Sequence, residues 1–318
     1  MEEAVPRPKI VIIGNGSLAS RGLKAISSFA EVPLVIADSH DDGKDSWRES
    51  FVKCAKHLGF SPNKTLLQPS NPNSKEVLMA IENVAPDIIL SLQCRHIIRK
   101  KLFSIPTLGT YNLHNAPLPL LRGCDPFSWA IHDGLQIMGV TLHKILDEGV
   151  DNGPITAQRC WKTSENTTAW DLYLKALDEA TTLLSETLSA PLPKSIPQKN
   201  DWSSYHPMGQ FDFSTTTINW NTVADTLSAW IRSRIFPPIQ LPKFTFGKNL
   251  SAEIIQCKKV SCNQKQPGFV DSISPLVISA KWGGLELLKI KFNNQELSGE
   301  EFAKQAGLIP RTPLFVTS

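Results

Sequence analysis

The sequence predicts an α/β fold: an open, mostly parallel, doubly wound sheet followed by a small, mainly β C-terminal domain. Three observations carry this expectation. Short apolar, β-branched runs alternate with helix-spaced segments through the first 190 residues, the pattern of a parallel sheet whose ligand crevice lies beyond the strands' carboxyl ends. In the last third, apolar runs follow one another between turn signals with little helix, the pattern of a small antiparallel barrel or sandwich. Between the two, residues 191–210 are rich in Pro and Ser and read as a linker. The expected division of the 318 residues is therefore 1–190, 191–210 and 211–318, in keeping with roughly 100 to 200 residues per domain.

Residues 9–13 form an apolar strand that ends at Gly14, and residues 18–29 suit a helix after that glycine turn. Residues 33–37 repeat the strand signal and end at Asp38; 39–44 are loop, and 47–58 have helical spacing. Ser74 is placed to cap a helix over 74–84, and residues 87–92 are the next strand. Gln93, Cys94, Arg95 and His96 follow it, then a short helical stretch to Phe103, then a strand over 110–114. Asp125 and Pro126 suit the N-cap and first position of a helix ending at His132. Residues 140–145 and 154–158 flank a glycine-rich turn and predict an antiparallel hairpin with Asp151 at its bend. Thr168 and Asp171 match a capping box before a long amphipathic helix to Leu188 that would cover the sheet. In the C-terminal part a helix over 222–234 stops at Pro237 and Pro238, followed by strands at 243–246, 252–260, 268–273, 276–280 and 285–291.

The composition, 41% apolar and 20% charged, is that of a folded globular chain and leaves no case for extensive disorder. The net charge of +3 is too small to predict a polyanionic partner, and the +4 carried by residues 206–318 (12 Lys and Arg against 8 Asp and Glu) is too diffuse to change that. The six cysteines include no CxxC pair, so they read as reduced thiols and support no metal site. Glu2, Glu3 and two prolines precede the first apolar run, unlike a signal peptide, and no run has the length of a membrane span. A cytoplasmic protein is expected, with no nucleic-acid or membrane partner and with a homodimer left open.

Two stretches suggest chemistry. Gly14, Asn15, Gly16, Ser17, Leu18 and Ala19 match G-x-G-x-x-G/A after a strand, and Asp38 stands where a ribose-binding acid would. This supports an NAD(P)-binding oxidoreductase, although any tight turn into a helix also favours small residues and no hydride site accompanies it. The second stretch runs through residues 111–158. Asn112 and His114, at i and i+2 on one strand, face the same way, and Asp151 can join them from the hairpin bend. An amide donor, a titrating imidazole and a carboxylate suit transfer of an acyl-type carbon to an amine, where an oxyanion and a departing proton must both be handled.

Asn112, Leu113 and His114, then Leu118, Pro119, Arg122 and Gly123, then Gly139, Val140, Thr141 and His143, and finally Asp147, Glu148, Gly149, Asp151 and Gly153 resemble the signature of the folate-dependent formyltransferases. The likeness is specific over residues 87–160, weaker over 9–92, and extends to Ile218, Asn219, Trp220 and Phe236 near the start of that family's second domain. It implies a Rossmann-like formyltransferase fold, with N10-formyltetrahydrofolate as cosubstrate and a primary amine as acceptor. By the same resemblance Asn112, His114 and Asp151 are the catalytic residues: Asn112 binds the formyl oxygen, His114 handles a proton, and Asp151 positions His114. Gln93, Cys94, Arg95 and Ile97 with Asp147, Glu148, Gly149 and Val150 are the folate candidates. Gly14, Asn15, Asn115, Ala116, Arg122 and Trp129 are candidates for acceptor binding.

Members that act on initiator tRNA usually carry Ser-Leu-Leu-Pro-Arg after the His and a basic loop after the second strand. Here Ala116, Pro117, Leu118, Pro119 and Leu120 follow instead, and residues 38–49 hold five acids against Lys44 and Arg48, a loop that repels phosphate. The run from Asn115 to Pro119 and Phe127 to Ala130 are more like the sugar N-formyltransferases acting on dTDP- or UDP-linked amino sugars. Methionyl-tRNA, a hydroxyornithine-type amine, and a catalytically inactive folate binder remain as alternatives.

Overall fold

A computed structural model describes residues 7–199, 201–237, 239–248 and 250–314; Glu2, Glu3 and Pro238 of the sequence reading lie outside these. The chain divides into two compact units. The first takes residues up to 124 with 139–161 and 174–206, and the second takes 125–138, 162–173 and the chain from 207 onward.

In the first unit, strands β1 (Ile10–Gly14), β2 (Val35–Ala37), β3 (Leu66–Leu67), β4 (Ile88–Leu92), β5 (Gly109–His114), β7 (Ile137–Ile145) and β8 (Ile155–Lys162) form one sheet in the order β3-β2-β1-β4-β5-β7-β8. The pairs from β3 through β5 are parallel and β5 pairs β7 antiparallel, so the sheet is mostly parallel as expected. Strand β1 is buried at every position, which requires cover on both faces. On one face Val11, Ile13, Ile36 and Ile89 form a core with Val77 and Ile81 of helix α3 (Lys75–Val84) and Leu102 of helix α4 (Lys100–Phe103). Helix α1 (Gly16–Ile26) contacts β1, β4 and helix α2 (Phe51–His57). Residues 174–188 of helix α6 (Ala169–Leu188) reach α1 through Arg21–Asp178 at 2.6 Å and β8 through Arg159–Glu179 at 2.8 Å.

Local chemistry explains where helices begin. Helix α2 starts at Phe51 rather than at Trp47 because the Ser50 side chain accepts the Lys53 N–H, while Asp41 and Asp45 tie residues 45–52 into a turn. Ser74 caps α3 as expected, and Thr168 and Asp171 exchange both bonds of their capping box. Helix α5 (Pro126–His132) keeps its proline at the first turn, but Asp125 sits in the left-handed region and its side chain makes no cap bond. A two-stranded ladder joins β6 (Arg122–Gly123) to β9 (Tyr205–His206), an element that residues 191–210 gave no reason to expect.

The second unit is built on an antiparallel sheet, β10 (Lys243–Phe246), β11 (Leu250–Val260), β14 (Gly284–Phe292), β13 (Leu276–Ser279) and β12 (Val270–Ile273), with β15 (Gln295–Ser298) beside β14. Helix α7 (Ala224–Arg234) contacts α5, β11 and β14. Strand β15 and helix α8 (Gly299–Gln305) were not expected, yet Ser298 and Glu301 form a capping box legible as S-x-x-E. The core closes on Trp220, Phe244, Phe246 and Phe302, all nearly inaccessible.

Trp220 is 0% exposed, packs edge-on to Phe244, and its indole N–H has no partner among the described residues. Trp220→Ala should cost about 3–5 kcal/mol. Trp220→Phe, which also removes the unpaired donor, should cost less than half of that, on the order of 1–2 kcal/mol; denaturant titration followed by circular dichroism reads both.

Candidate active site

The site is set by strand register. On β5, Asn112 and His114 share a face by their two-residue spacing, and across the antiparallel ladder they stand opposite His143 and Thr141 of β7. One face of two strands thus presents an amide, two imidazoles and a hydroxyl. Ile145 at the end of β7 is opposite Thr110 at the start of β5, so the turn after β7 must fold back along that face for Asp151 to meet His114. Asp151 adopts a left-handed conformation, φ 50°, which re-aims the chain. A Cβ on Gly153 would stand 1.7 Å from the Lys144 carbonyl oxygen, so only glycine admits this return.

The Asp151 carboxylate is the hub. Its Oδ2 accepts the Gly123 N–H at 2.9 Å and faces His114 Nδ1 at 3.4 Å; its Oδ1 accepts Asn112 Nδ2 at 3.2 Å and faces His143 Nε2 at 3.3 Å. Asn112 Nδ2 is also 3.1 Å from His143 Nε2. A proton on His143 Nε2 lets that ring donate to Asp151 and leaves Nδ1 as a bare acceptor in a buried setting, without a partner among the described residues. Burial alone would raise the Asp151 carboxyl. The positive character of His114 and His143, the His143 bond and the Gly123 N–H outweigh it and hold the carboxyl well below the usual carboxylate range.

His114 is 8% exposed, and both its nitrogens face acceptors: Asp151 at Nδ1 and the Leu121 carbonyl oxygen at Nε2, 2.8 Å away. This arrangement keeps a proton on Nε2, where the carbonyl can only accept, and leaves Nδ1 facing the carboxylate. The loop after His114 is fixed from the sheet. Thr141 donates its hydroxyl to the Ala116 carbonyl at 2.6 Å and accepts the Leu118 N–H at 3.2 Å, while Gln158 Nε2 donates to both Leu118 O and Thr141 Oγ1 at 2.9 Å.

The structure therefore brings Asn112, His114 and Asp151 together. Glu148 accepts the Lys100 N–H at 3.4 Å and faces Arg99 at 3.6 Å, which draws the turn over 147–150 toward the chain that follows Gln93, Cys94, Arg95 and Ile97. Asp147 and Gly149 shape that turn through the Gly149 N–H bond to Asp147 at 2.7 Å; Val150 is half-buried and Ile97 exposed. Gly14 and Asn15 line a small cavity with Asp38, Cys94 and Arg95 at the ends of β1, β2 and β4. Asp38 takes the His40 N–H at 2.8 Å and faces Arg95 at 3.5 Å, so its oxygens are committed within the loop rather than held open as a ribose acceptor's would be. Asn115 is half-buried and Ala116 fully buried. Arg122 flanks the site with a buried Nε that has no partner among the described residues. Trp129 belongs to the second unit, edge-on to His132 and Phe211.

Sequence reasoning gave no role to His143, although Thr141 and His143 alternate with apolar Val140 and Leu142 on one strand. That period-2 polar pair was the available signal. Gln158, Gln198 and Ser204 carried no comparable signal.

A known family described as Formyl transferase matches residues 8–188. The bifunctional polymyxin resistance protein ArnA of Wigglesworthia glossinidia brevipalpis is 30% identical over 89% of the chain, which spans 42% of that longer protein. Methionyl-tRNA formyltransferase of Clostridium tetani (strain Massachusetts / E88) is 29% identical over 91% of the chain and 93% of its own length. Among solved structures, WlaRD, a sugar 3N-formyl transferase determined with dTDP and 5-N-formyl-THF, shares the fold at TM-score 0.67 and 24% identity, over 90% of this chain and 97% of that one. Among the described residues no helix is long and apolar enough to cross a membrane.

A carboxyl held below its unfolded value of about 3.9 contributes stability that is present above that pH and is lost as the pH falls toward the folded value. The stability of the wild type relative to Asp151→Asn should therefore decline between about pH 5 and pH 3, and melting curves of both proteins over that window measure it. Parallel declines would show that Asp151 contributes nothing there.

Proposed function

Because the chain belongs to the formyl transferase family, we propose that it transfers a formyl group from N10-formyltetrahydrofolate to the primary amine of a small acceptor, a nucleotide-linked (dTDP or UDP) amino sugar. The observation that carries the reaction class is the buried Asp151 carboxylate holding Asn112 and His114 on one strand face. Bound N10-formyltetrahydrofolate supplies an activated one-carbon unit. Gln93 to Arg95, Ile97 and the turn over 147–150 are the residues proposed to hold it, and the unpaired Nε–H of Arg122 is a donor that an acceptor oxygen of either substrate would satisfy.

Asn112 offers its second amide N–H where negative charge builds on the formyl oxygen, the first being held by Asp151, which fixes the amide's orientation. His114 holds a proton at Nε2, aimed by Leu121, and the Asp151 carboxylate at Nδ1 stabilises the charged ring whenever it carries the proton leaving the amine. Burial of both groups strengthens this coupling, since little water competes for either.

The acceptor reading rests on the residues after His114 and on the acidic loop. Asp38, Asp41, Asp45 and Glu49 are engaged by His40, Ser50, Lys53 and Lys24, so the loop is an ordered acidic feature unsuited to a polyanionic RNA backbone. The fold likeness to WlaRD over most of both chains supports a nucleotide sugar. The likeness to methionyl-tRNA formyltransferase over nearly the whole chain keeps that acceptor as the comparison to run.

Purified protein given N10-formyltetrahydrofolate and a panel of dTDP- and UDP-linked amino sugars should release tetrahydrofolate with saturable dependence on one of them. Turnover should exceed that with charged initiator methionyl-tRNA by about 100-fold or more in kcat/KM, equivalent to about 2.7 kcal/mol. The reverse preference would replace the acceptor assignment, and no release with any amine would remove the transferase reading.

A further inference from the structure

Residues 191–206 follow the matched family region of 8–188 and have few marks of a functional element in the sequence. Two of its large apolar side chains are open to solvent, Ile196 at 69% and Trp202 at 81%, so hydrogen bonds rather than burial hold it in place. Those bonds converge on the catalytic constellation. The Leu121 N–H donates to Ser204 Oγ at 2.8 Å, the Arg122 N–H to Ser204 O at 3.0 Å and the Cys124 N–H to His206 O at 2.8 Å, while the Ser204 N–H donates to Pro119 O at 3.3 Å. They bracket Leu121, which sits in the left-handed region at φ 58° and whose carbonyl receives His114 Nε2. The same ladder places Gly123, whose N–H meets Asp151. A Cβ there would stand 2.2 Å from His206 O, so glycine is what lets the strap lie against the loop.

Farther back along the strap, Gln198 Nε2 donates to Asp151 O at 2.8 Å and to Gly153 O at 2.7 Å, across the turn that carries the carboxylate. Ile196 exchanges a main-chain pair with Ile155, and Ser195 meets Thr156 at 2.9 Å. The acceptors at both nitrogens of His114 are thus steadied by one segment, Leu121 through Ser204 and Asp151 through Gln198 and the ladder at Gly123.

We infer that residues 195–199 and 201–206 form a strap belonging to the catalytic apparatus, with Ser204 and Gln198 as positioning residues that set the imidazole of His114 and the carboxylate of Asp151. A left-handed leucine and a left-handed aspartate each cost conformational energy and persist only where surrounding bonds hold them, and the strap supplies those bonds. Loss of the Ser204 hydroxyl leaves the Leu121 N–H without its acceptor, and the Leu121 carbonyl then drifts from His114. That drift weakens the Nε2–H bond to Leu121 and changes the surroundings of that nitrogen, while Asp151 still faces Nδ1.

This inference rests on the transferase reading for its kinetics but not for its spectroscopy. In protein labelled with 15N-histidine, Ser204→Ala should move the His114 Nε2 resonance away from its wild-type position at fixed pH, and Ser204→Thr should restore it. With the accepted amine, Ser204→Ala should lower kcat about tenfold while KM for both substrates stays within about twofold. Gln198→Ala should move the His114 Nδ1 resonance through Asp151, and it serves as the independent test if Ser204→Ala does not fold. Unchanged His114 resonances in a folded variant, or a fall in kcat without any change at His114, would overturn the assignment. Absence of turnover in the wild type would overturn only the transferase reading, since the resonance shift is read without substrate.

Discussion

Burial of the Asp151 carboxylate is the constraint on which the site depends. A charge taken out of water must be met by donors, and a partly satisfied one would favour protonation or another conformation. Here the donors come from every element nearby: the main chain of Gly123, the amide of Asn112 on β5, and the rings of His114 and His143 on β5 and β7. Satisfying the carboxylate and assembling the proposed chemistry are one requirement, because three of those donors are the side chains assigned to it or their immediate partner.

The geometry follows from that requirement. Antiparallel pairing of β5 with β7 sets Asn112 opposite His143, and the turn after β7 must come back over the strand face to deliver Asp151. A glycine at 153 permits the approach and a left-handed Asp151 directs it. The loop after His114 is then pinned twice, from the sheet side by Thr141 and Gln158 and from the strap by Ser204. Residues far apart in the chain thereby fix one imidazole at both nitrogens.

Much of this was legible in sequence, for physical reasons. The Asn112–His114 spacing on an apolar strand forces a shared face, and a glycine-flanked aspartate in a hairpin turn is a local feature, so the parts of the site could be named. Helix starts written in local code, Ser74 and the Thr168–Asp171 box, were equally readable. Asp125 does stand at the N-cap of α5, but residue type cannot show its left-handed backbone, and its side chain makes no cap bond. Ser204 and Gln198 were illegible because their partners lie 83 and 47 residues away, and a two-residue ladder such as β6–β9 has no periodicity to detect. Strand β15 was missed for the same reason, while α8 did carry its own capping box.

The central claim is that His114 and Asp151 act as one unit, the carboxylate working through the imidazole. Single-turnover formyl transfer by His114→Ala, Asp151→Ala and the double variant tests it most directly. Groups that act as a unit give non-additive losses, so the double variant should be no slower than the slower single variant to within about threefold. Losses that multiply would mean that the two residues contribute separately, and the hub described here would then be a structural feature of the fold rather than the core of its chemistry.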